Sequence, residues 1–500
     1  MRRPIVWAII ALDSGGTGIQ SDIKVFKTLE VHGCSVVTAT TTQNSYKVLD
    51  TTFAVSAVIN AQITELEKDM TPKSIKLGML GSIPDMREIS SFLRRYSGHV
   101  VYNPIILSKS GAPLLNSDAK NYLIENIVPY VSLLILNILE VEELLDCTIK
   151  SSTDVAEAAK KLLNYGEQSV LIKGGHSANG YSQDYWADGR QQYWLTIDKE
   201  ANHGSGDILS AAITACLALD YSLLDSLVIG KSHVSQEIRM ADGYDQGSGA
   251  IAHHNWQSSY EDLPWITKSA QDGINQPSFP QCDIEALAFY PIVDSNYWLE
   301  KLFAIGIKTI QLRIKDLQGK ELEEEIKTGI KIAEKYKAKL FVNDYWKLAI
   351  QYNAYGIHLG QEDLVNADYK AIVQANIRLG ISTHSYYELA RAYALRPSYI
   401  ACGPIFSTTS KKMPFAPQGI YNLQHWRKLL KCPLVAIGGI SIDKLPSVLA
   451  CGVDGVAVIS AVLSSIDPEQ TALEFLKACK QAFLLRQKQG NHGQLQPTFK

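Results

Sequence analysis

The sequence predicts two α/β domains in one chain: a doubly wound sheet, followed by a (β/α)8 barrel. Three observations support this expectation. The chain has 500 residues, more than a single ordinary core of about 100–250 residues holds. Short apolar runs alternate with helical stretches in both halves, which is typical of parallel sheets. In the second half these runs recur in even steps, as the strands of such a barrel do.

The apolar runs place the strands and the domain borders. Six strands are predicted in the first half, at residues 6–12, 35–39, 74–77, 99–102, 133–136 and 169–172. The pattern dissolves between about 241 and 281, so the first domain is predicted at 1–255 and a loose linker at 256–282. The predicted barrel spans 283–485, and a polar tail over 486–500 is expected to fray. The eight predicted barrel strands are residues 288–293, 309–314, 339–342, 356–359, 378–381, 398–402, 434–437 and 455–459.

Composition excludes several classes of function. Hydrophobic residues make up 46% and charged residues 20%, as in globular proteins. A net charge of −3 without a basic stripe argues against a nucleic-acid partner. No segment reaches the roughly 20 apolar residues of a membrane helix, and the apolar start is interpreted as a buried strand rather than a signal peptide. Eight cysteines without metal or disulfide spacing favour a reducing cytoplasm.

A glycine-rich turn in the first half indicates phosphate handling. Residues 203–207 read HGSGD and precede an apolar helix. Gly204, Ser205 and Gly206 let backbone N–H groups converge at the helix start, where the dipole attracts anions. Asp207 in the first turn is placed to accept a proton from an attacking hydroxyl. On this motif alone, a tight turn and a capped helix without catalysis explain the pattern equally well.

Further motifs accompany it in order. They are SGGTGIQSDIK from residue 14, HGCSVVTATTTQNS from 32, KLGML from 76, NPIILSKSG from 103, NILE from 137 and IKGGH from 172. Together they resemble the hydroxymethylpyrimidine kinase/phosphomethylpyrimidine kinase family, whose fold is ribokinase-like, over about residues 1–255. The resemblance implies that Asp22 and Gln43 contact the aminopyrimidine. It also implies that Asn137 and Glu140 organise magnesium on ATP, and that Lys173 and the Gly204–Gly206 turn face the nucleotide phosphates.

Three departures from that family pattern bear on activity. Asn103 stands where the family usually has Asp, and the first glycine-rich loop is one residue shorter. Asp207 stands where the family commonly has Cys, and a carboxylate is a conventional base. The first two departures leave one alternative open, namely a degenerate, non-catalytic kinase domain that only binds pyrimidine.

The second half places polar residues just after predicted strands. Since active sites of such barrels lie at the carboxyl ends of the strands, these residues are expected to converge. Gln311, Arg313 and Lys315 alternate, so they are predicted to point into the barrel mouth. Carboxylates on neighbouring loops suit a magnesium ion that grips a diphosphate. The remaining polar and glycine positions at strand ends are Asn343, Asp344, Asp363, Thr408, Ser410, Lys411, Gly438, Gly439 and Ser460.

The motifs QLRIK, ND, HLGQED, GPIFSTTSKK and IGGI resemble the thiamine-phosphate synthase family over about residues 283–480. The resemblance implies that the pyrimidine diphosphate site is lined by Gln311, Arg313, Lys315, Asn343, Ser382 and Lys411. Asp344 and Asp363 would hold magnesium. Thr408, Ser410 and Lys411 would clamp pyrophosphate, and Gly439, Ile459 and Ser460 would seat the thiazole phosphate.

The two resemblances together predict a bifunctional enzyme of thiamine biosynthesis. The first domain would phosphorylate hydroxymethylpyrimidine twice with ATP, and the second would join the diphosphate to thiazole phosphate and release pyrophosphate. The first product is thus the second substrate. The expected cofactors are Mg²⁺ and ATP as co-substrate, the expected partners are small molecules only, and both families tend to form homo-oligomers.

Overall fold

A computed structural model describes residues 3–43, 48–107, 114–174, 180–198, 205–240, 259–274, 276–408 and 416–490. It divides the chain into two compact units, Met1–Asp272 and Gly273–Lys500. Each unit carries its own sheet. Among the described residues, no helix is long and apolar enough to cross a membrane.

The first unit is built on a ten-stranded mixed sheet in the order β10-β9-β8-β7-β6-β5-β4-β1-β2-β3. Its six central strands, β2, β1, β4, β5, β6 and β7, are mutually parallel. The strands are β1 (Ile5–Asp13), β2 (His32–Gln43), β3 (Val48–Phe53), β4 (Ser74–Leu77), β5 (His99–Tyr102), β6 (Leu133–Asn137), β7 (Val170–Lys173), β8 (Tyr181–Ala187), β9 (Gln192–Asp198) and β10 (Trp265–Thr267).

All six strands predicted for this unit are present, and the fold class is confirmed. The four antiparallel strands at the sheet margins were not predicted. They mix polar and apolar residues, as in YSQDYWA of β8, so they lack the continuous apolar run that marks a strand buried on both faces. One of them also corrects the predicted linker, because Trp265–Thr267 pairs antiparallel with β9 and belongs to the sheet.

Helices cover the sheet of the first unit and bury its apolar residues. Trp7, Ile9, Ile75 and Leu136 are among the fully buried side chains of the resulting core. The helices are α1 (Ile19–Thr28), α2 (Ser56–Asp69), α3 (Ile83–Leu93), α4 (Ser117–Asn126), α5 (Ile138–Leu145), α6 (Ser152–Leu162), α7 (Ser205–Ala218) and α8 (Leu223–Arg239).

The second unit is a closed barrel of eight parallel strands in sequential order. All eight predicted strands are present, and their ends differ from the prediction by at most two residues. The strands are β11 (Phe289–Val293), β12 (Thr309–Leu312), β13 (Lys339–Asn343), β14 (Gly356–Leu359), β15 (Arg378–Thr383), β16 (Tyr399–Cys402), β17 (Leu434–Ile437) and β18 (Gly455–Val458).

Large side chains fill the barrel interior. Tyr290, Phe341, Tyr399 and Val435, from β11, β13, β16 and β17, form one cluster, as expected for a packed barrel core. The helices around it are α9 (Ile284–Leu287), α10 (Asn296–Ala304), α11 (Gly319–Lys335), α12 (Trp346–Gln351), α13 (Tyr369–Gln374), α14 (Tyr386–Ala394), α15 (Gly419–Leu429), α16 (Leu445–Leu449), α17 (Ser460–Leu463) and α18 (Pro468–Gly490).

The last helix corrects the predicted border of the frayed tail at residue 486. α18 continues to Gly490. Arg486 donates to the carbonyl oxygen of Val453 at 2.6 Å, and this contact ties that turn of the helix to the barrel. Polar composition alone did not reveal such a bond. Residues 491–500 lie outside the described residues.

Candidate active sites

The glycine-rich loop of the first unit is closed by hydrogen bonds onto the end of β2. Ser14 Oγ donates to the carbonyl oxygen of Gln43 at 2.7 Å and accepts from the Gln43 N–H at 3.0 Å. The Gln43 side chain donates to Thr17 Oγ1 at 3.3 Å. Gly18 has a φ of 59°, and a Cβ there would lie 2.5 Å from the carbonyl oxygen of Ala11, so only glycine fits. The predicted pyrimidine residue Gln43 is thus held beside this loop and is only half-buried.

A buried lysine organises the predicted catalytic aspartate. Lys76 on β4 lies 2.5 Å from Asp22 Oδ1 and 3.3 Å from Asp207 Oδ1. It also donates to the carbonyl oxygen of Asp207 at 3.2 Å. The side chains of Lys76 and Asp22 are fully buried, whereas that of Asp207 is 20% exposed. Asp207 is therefore open to a substrate, but Asp22 has no exposed surface with which to touch one.

The contact predicted between Asp22 and the aminopyrimidine stays a prediction. Burial raises the pKa of the Asp22 carboxyl to about 7; Lys76 lowers it and Asp207 raises it further. Burial also raises the pKa of Asp207, but the charge and hydrogen bond of Lys76 outweigh it. Lys173 and the backbone N–H of Gly18 also lower the pKa of Asp207, so this pKa lies below the usual range of an aspartate. Asp207 is ionised near neutral pH, as a base must be.

The ammonium group of Lys173, at the end of β7, lies beside the start of α7. A Cβ built on Gly206 would meet Lys173 Nζ at 2.5 Å and Asn103 Nδ2 at 3.5 Å. The ammonium and the amide thus border the helix start beside Asp207. An anion bound there would meet the positive end of the helix dipole as well. Gly204 lies outside the described residues, as does the side chain of Ser205.

The predicted magnesium pair of the first unit has a structural task. Asn137 and Glu140 form the capping box of α5, each side chain bonding the other's backbone N–H at 2.9 Å. Burial raises the pKa of Glu140, Lys173 lowers it and Asp207 raises it, so Glu140 faces both of these charged groups. A direct role of the pair with magnesium stays a prediction.

In the barrel, Gln311 belongs to a chain of buried hydrogen bonds. Its Nε2 donates to the Tyr290 hydroxyl at 2.5 Å, and that hydroxyl bonds the hydroxyl of Tyr399. Tyr399 continues to His358 Nδ1 at 2.8 Å, and His358 Nε2 reaches Ser382 Oγ at 2.7 Å. Burial lowers the pKa of His358 to about 4, so the imidazole is neutral near pH 7. The predicted ligands Gln311 and Ser382 are therefore the two ends of one network.

The other two predicted site residues of the QLRIK motif, Arg313 and Lys315, lie beyond β12, which ends at Leu312. Arg313 is half-buried and Lys315 is exposed, and their predicted direction into the barrel mouth stays a prediction. Lys315 Nζ lies 2.8 Å from Asp344 Oδ2. Asn343 closes β13 with 6% of its surface exposed. Asp344 follows with a φ of 66°, in the left-handed region that residues other than glycine rarely adopt.

The two predicted magnesium ligands are brought together. Burial raises the pKa of Asp363, and the charge of Asp344 and a hydrogen bond with it raise this pKa further. The backbone N–H of Gly360 and Lys315 oppose the rise. Two carboxylates in hydrogen-bond contact repel each other when both are ionised, and a cation removes that repulsion. Oxygen ligands are those that Mg²⁺ prefers, and with only two carboxylates it would keep waters or bind phosphate oxygens. The donor set fits Mg²⁺.

A cavity of about 280 Å³ opens beside the ends of β17 and β18. A Cβ on Gly439 would lie 2.5 Å from the carbonyl oxygen of Ser407, and Gly439 has a φ of 66°. The cavity is lined by the predicted residues Thr408, Gly438, Gly439, Ile459 and Ser460, together with Ser407, Ser441 and Lys444. Ser410 and Lys411 lie outside the described residues.

Several site residues were missed by the sequence reasoning. Lys76 carries a signal, since a lysine inside an apolar central strand must be paired. His358 opens the quoted HLGQED motif without having been assigned a role. Tyr290, Tyr399 and Lys444 carry no local signal, because only the closed barrel brings them to the site.

The first unit therefore has the features of an anion-handling α/β enzyme with a poised carboxylate, and the second those of a barrel enzyme that binds magnesium and phosphate. Comparison with known proteins agrees. Residues 13–252 match the family described as phosphomethylpyrimidine kinase, and residues 289–462 match the family described as thiamine monophosphate synthase.

Individual proteins show the same division. The chain is 54% identical over 192 residues to the thiamine-phosphate synthase of Proteus mirabilis, covering 38% of this chain and 89% of that protein. It is 50% identical over 201 residues to that of Yersinia pseudotuberculosis, covering 40% and 93%. A solved phosphomethylpyrimidine kinase from Clostridium difficile is 31% identical, with a TM-score of 0.43 and coverage of 47% of this chain and 100% of that chain. The chain belongs to the thiamine-phosphate synthase family. Its synthase domain is joined to an N-terminal phosphomethylpyrimidine kinase domain.

Proposed function

We propose that this chain makes thiamine phosphate from hydroxymethylpyrimidine, ATP and thiazole phosphate in three steps. The first unit phosphorylates the pyrimidine alcohol and then the resulting monophosphate. The second unit joins the diphosphate to thiazole phosphate and releases pyrophosphate. The observation that carries the proposal is the convergence of Lys315, Asp344 and Asp363 at one end of the barrel. These are the groups that a diphosphate and its cation require.

In the kinase steps the chain's own residues position charge. Asp207 is ionised and partly exposed at the start of α7, where it accepts the proton of the attacking alcohol. Lys173 lies against Gly206 at the same helix start, and we assign it to the phosphates of ATP. The half-buried Gln43 beside the glycine-rich loop is assigned to the pyrimidine edge, since an amide both donates and accepts.

In the synthase step we assign Gln311 and Ser382, the two ends of the buried hydrogen-bond network, to the pyrimidine ring. Arg313 and Lys315 offer positive charge to the diphosphate, and we add Lys411 on sequence grounds. As the carbon–oxygen bond breaks, negative charge builds on the leaving pyrophosphate, and fixed cations stabilise it. The thiazole nitrogen then attacks the pyrimidine carbon, and it needs no base because it carries no proton.

Magnesium would be held by Asp344 and Asp363. When bound, it supplies positive charge that neutralises the diphosphate oxygens and the two carboxylates. The thiazole phosphate would occupy the cavity at Gly439, Ile459 and Ser460, where backbone N–H groups commonly bind phosphate in such barrels. Thr408 and Ser410 are assigned to pyrophosphate.

The experiment is a coupled assay with purified protein, hydroxymethylpyrimidine, Mg·ATP and thiazole phosphate, in which thiamine phosphate is read by fluorescence after oxidation. Product formation is the expected result. Product only when pyrimidine diphosphate is supplied would mean a working synthase beside a silent kinase domain. The proximity of Asp207, Lys173 and Gly206 at the start of α7 supports a working kinase domain over that alternative.

The role of Asp207 has its own test, Asp207→Asn. An alcohol must lose its proton during attack, whereas a phosphate monoester is already ionised near pH 7. The first phosphorylation should fall by roughly 10²–10⁴-fold, much more than the second. Equal losses in both steps would refute a general-base role. Pre-made pyrimidine diphosphate is the control, because synthase turnover should not change.

A further inference from the structure

A fully buried ion pair lies behind Asp207, and nothing in the kinase steps described above uses it. Lys76 sits on β4, between β1 and β5, and has no exposed surface. One ammonium there serves two carboxylates, Asp22 at 2.5 Å and Asp207 at 3.3 Å. Burying a charge is costly unless it is paired and hydrogen-bonded. An apolar residue at this position of a central strand would stabilise the fold at least as well.

Among the residues that the structure describes, the charged groups that act on Asp207 come from four surrounding elements. Lys76 comes from β4, Asp22 from α1, Lys173 from β7 and Glu140 from α5. The backbone N–H of Gly18 also points to it. Lys173 is assigned to the nucleotide, so its charge is shared with phosphate when ATP is bound. Lys76 is therefore the cation that stays with Asp207 throughout the reaction.

We propose that Lys76 and Asp22 are positioning residues that hold the Asp207 carboxylate in place and allow it to take up a proton. The proposal rests on the role of Asp207 as base. In the step, the alcohol proton moves to Asp207 as the alcohol oxygen bonds the γ-phosphorus of ATP, and the bond from that phosphorus to its bridging oxygen breaks to release ADP.

The charges explain why both partners are needed. Once Asp207 is protonated it is neutral, and Lys76 would be left as a lone buried cation. Loss of the Asp207 charge removes a repulsion that raises the pKa of Asp22, so this carboxyl ionises more readily and its charge offsets that of Lys76. Lys76 in turn keeps Asp207 ionised and fixes it through two contacts, to the side chain and to the backbone carbonyl.

Two substitutions in the full chain separate these effects, Lys76→Met and Asp22→Asn. Each phosphorylation rate is divided by the wild-type rate at the same pH, because the monophosphate substrate itself titrates near pH 6. In Lys76→Met the first phosphorylation should be depressed most near pH 5 and recover toward pH 8, since Asp207 without its cation holds a proton more tightly. In Asp22→Asn the first step should fall by at least about threefold near pH 8, because a buried cation now opposes proton uptake. The fall should be smaller toward pH 5, where the wild-type Asp22 carboxyl, with a pKa of about 7, is itself protonated. The second phosphorylation should keep its rate in both.

Lys231→Met is the matched control. Lys231 is also a buried lysine, 2.6 Å from the buried Asp184, and it does not contact Asp207. It should change the two phosphorylation steps equally at each pH. Retained phosphorylation of the monophosphate shows that a variant is folded, and the nearly isosteric Asp22→Asn decides the question should Lys76→Met fail to fold.

The outcomes separate this inference from the proposed base. If Asp207→Asn impairs both phosphorylations equally, the base assignment itself fails. If Asp207→Asn is selective for the first step while Asp22→Asn retains wild-type rates or loses both steps equally, only the role of Lys76 and Asp22 is overturned.

Discussion

Replacing Gly439 with alanine should weaken the binding of thiazole phosphate, and the effect can be worked out from two distances. A Cβ at this position would lie 2.5 Å from the carbonyl oxygen of Ser407 and 2.7 Å from that of Phe406. Ordinary contacts begin near 3.4 Å, so the loop must move by close to an ångström. Both obstacles are backbone atoms and cannot rotate away. The same backbone lines the cavity in which we place the phosphate.

The cost has two parts that a control can separate. Gly439 has a φ of 66°, and alanine in this left-handed region costs about 1–2 kcal/mol of stability. Displacement of the loop adds the loss of a hydrogen bond to a charged phosphate, about 1.5–3 kcal/mol, or roughly ten- to hundredfold in KM. Gly306 provides the control, because it has a φ of 94° but nothing within 4 Å of a Cβ. It also follows α10, at the end of the barrel opposite to the site.

The assay is synthase turnover with pyrimidine diphosphate supplied and thiazole phosphate varied. Gly439→Ala should raise the KM for thiazole phosphate at least about tenfold. Gly306→Ala should leave this KM unchanged while lowering stability by a similar backbone cost. Equal KM values in the two variants would refute the placement of the phosphate at Gly439.

Three further predictions concern charge and buried polarity. Asp363→Asn should raise the Mg²⁺ concentration for half-maximal synthase turnover about tenfold or more, because one of two carboxylate ligands is lost. Kinase turnover should not change. An unchanged Mg²⁺ requirement of the synthase would contradict the proposed magnesium site. Burial raises the pKa of Glu167 to about 7, so ionisation of this carboxyl destabilises the folded state increasingly as the pH rises from its usual pKa to pH 7. Glu167→Gln should therefore stabilise kinase activity against urea by at most ~3 kcal/mol at pH 8 and by almost nothing near pH 4.5. Tyr399→Phe leaves the Tyr290 hydroxyl and His358 Nδ1 each short of a partner, and it should destabilise synthase activity against urea by about 1–3 kcal/mol.

The parallel strands of both units were predictable because each is buried on two faces and reads as an apolar run. The margins of the first sheet were not, since β3 exposes five of its six residues and β10 has only three. Their pairing depends on neighbours distant in sequence. The same holds for Arg486, whose bond to Val453 keeps the last helix ordered beyond the predicted border.

For the sites, sequence reasoning identified residues but not their surroundings. The barrel topology alone brings Asp344, Asp363 and Lys315 together, because strand ends meet at one face. The motif around Asp22 does not show which way the α1 side chain points, and its buried contact with Lys76 was therefore not predictable. Burial and partner choice are tertiary facts, and a motif carries them only by resemblance.

The two units solve the problem of clustered carboxylates in opposite ways. In the first, Lys76 is buried between Asp22 and Asp207 and lowers the pKa of both carboxyls, so Asp207 stays ionised. In the second, Asp344 and Asp363 contact each other, and the only lysine bonded to Asp344 among the described residues is the largely exposed Lys315. An exposed pair contributes little. That site is therefore balanced only when a cation arrives with the diphosphate, so binding of substrate and of metal should reinforce each other in the barrel.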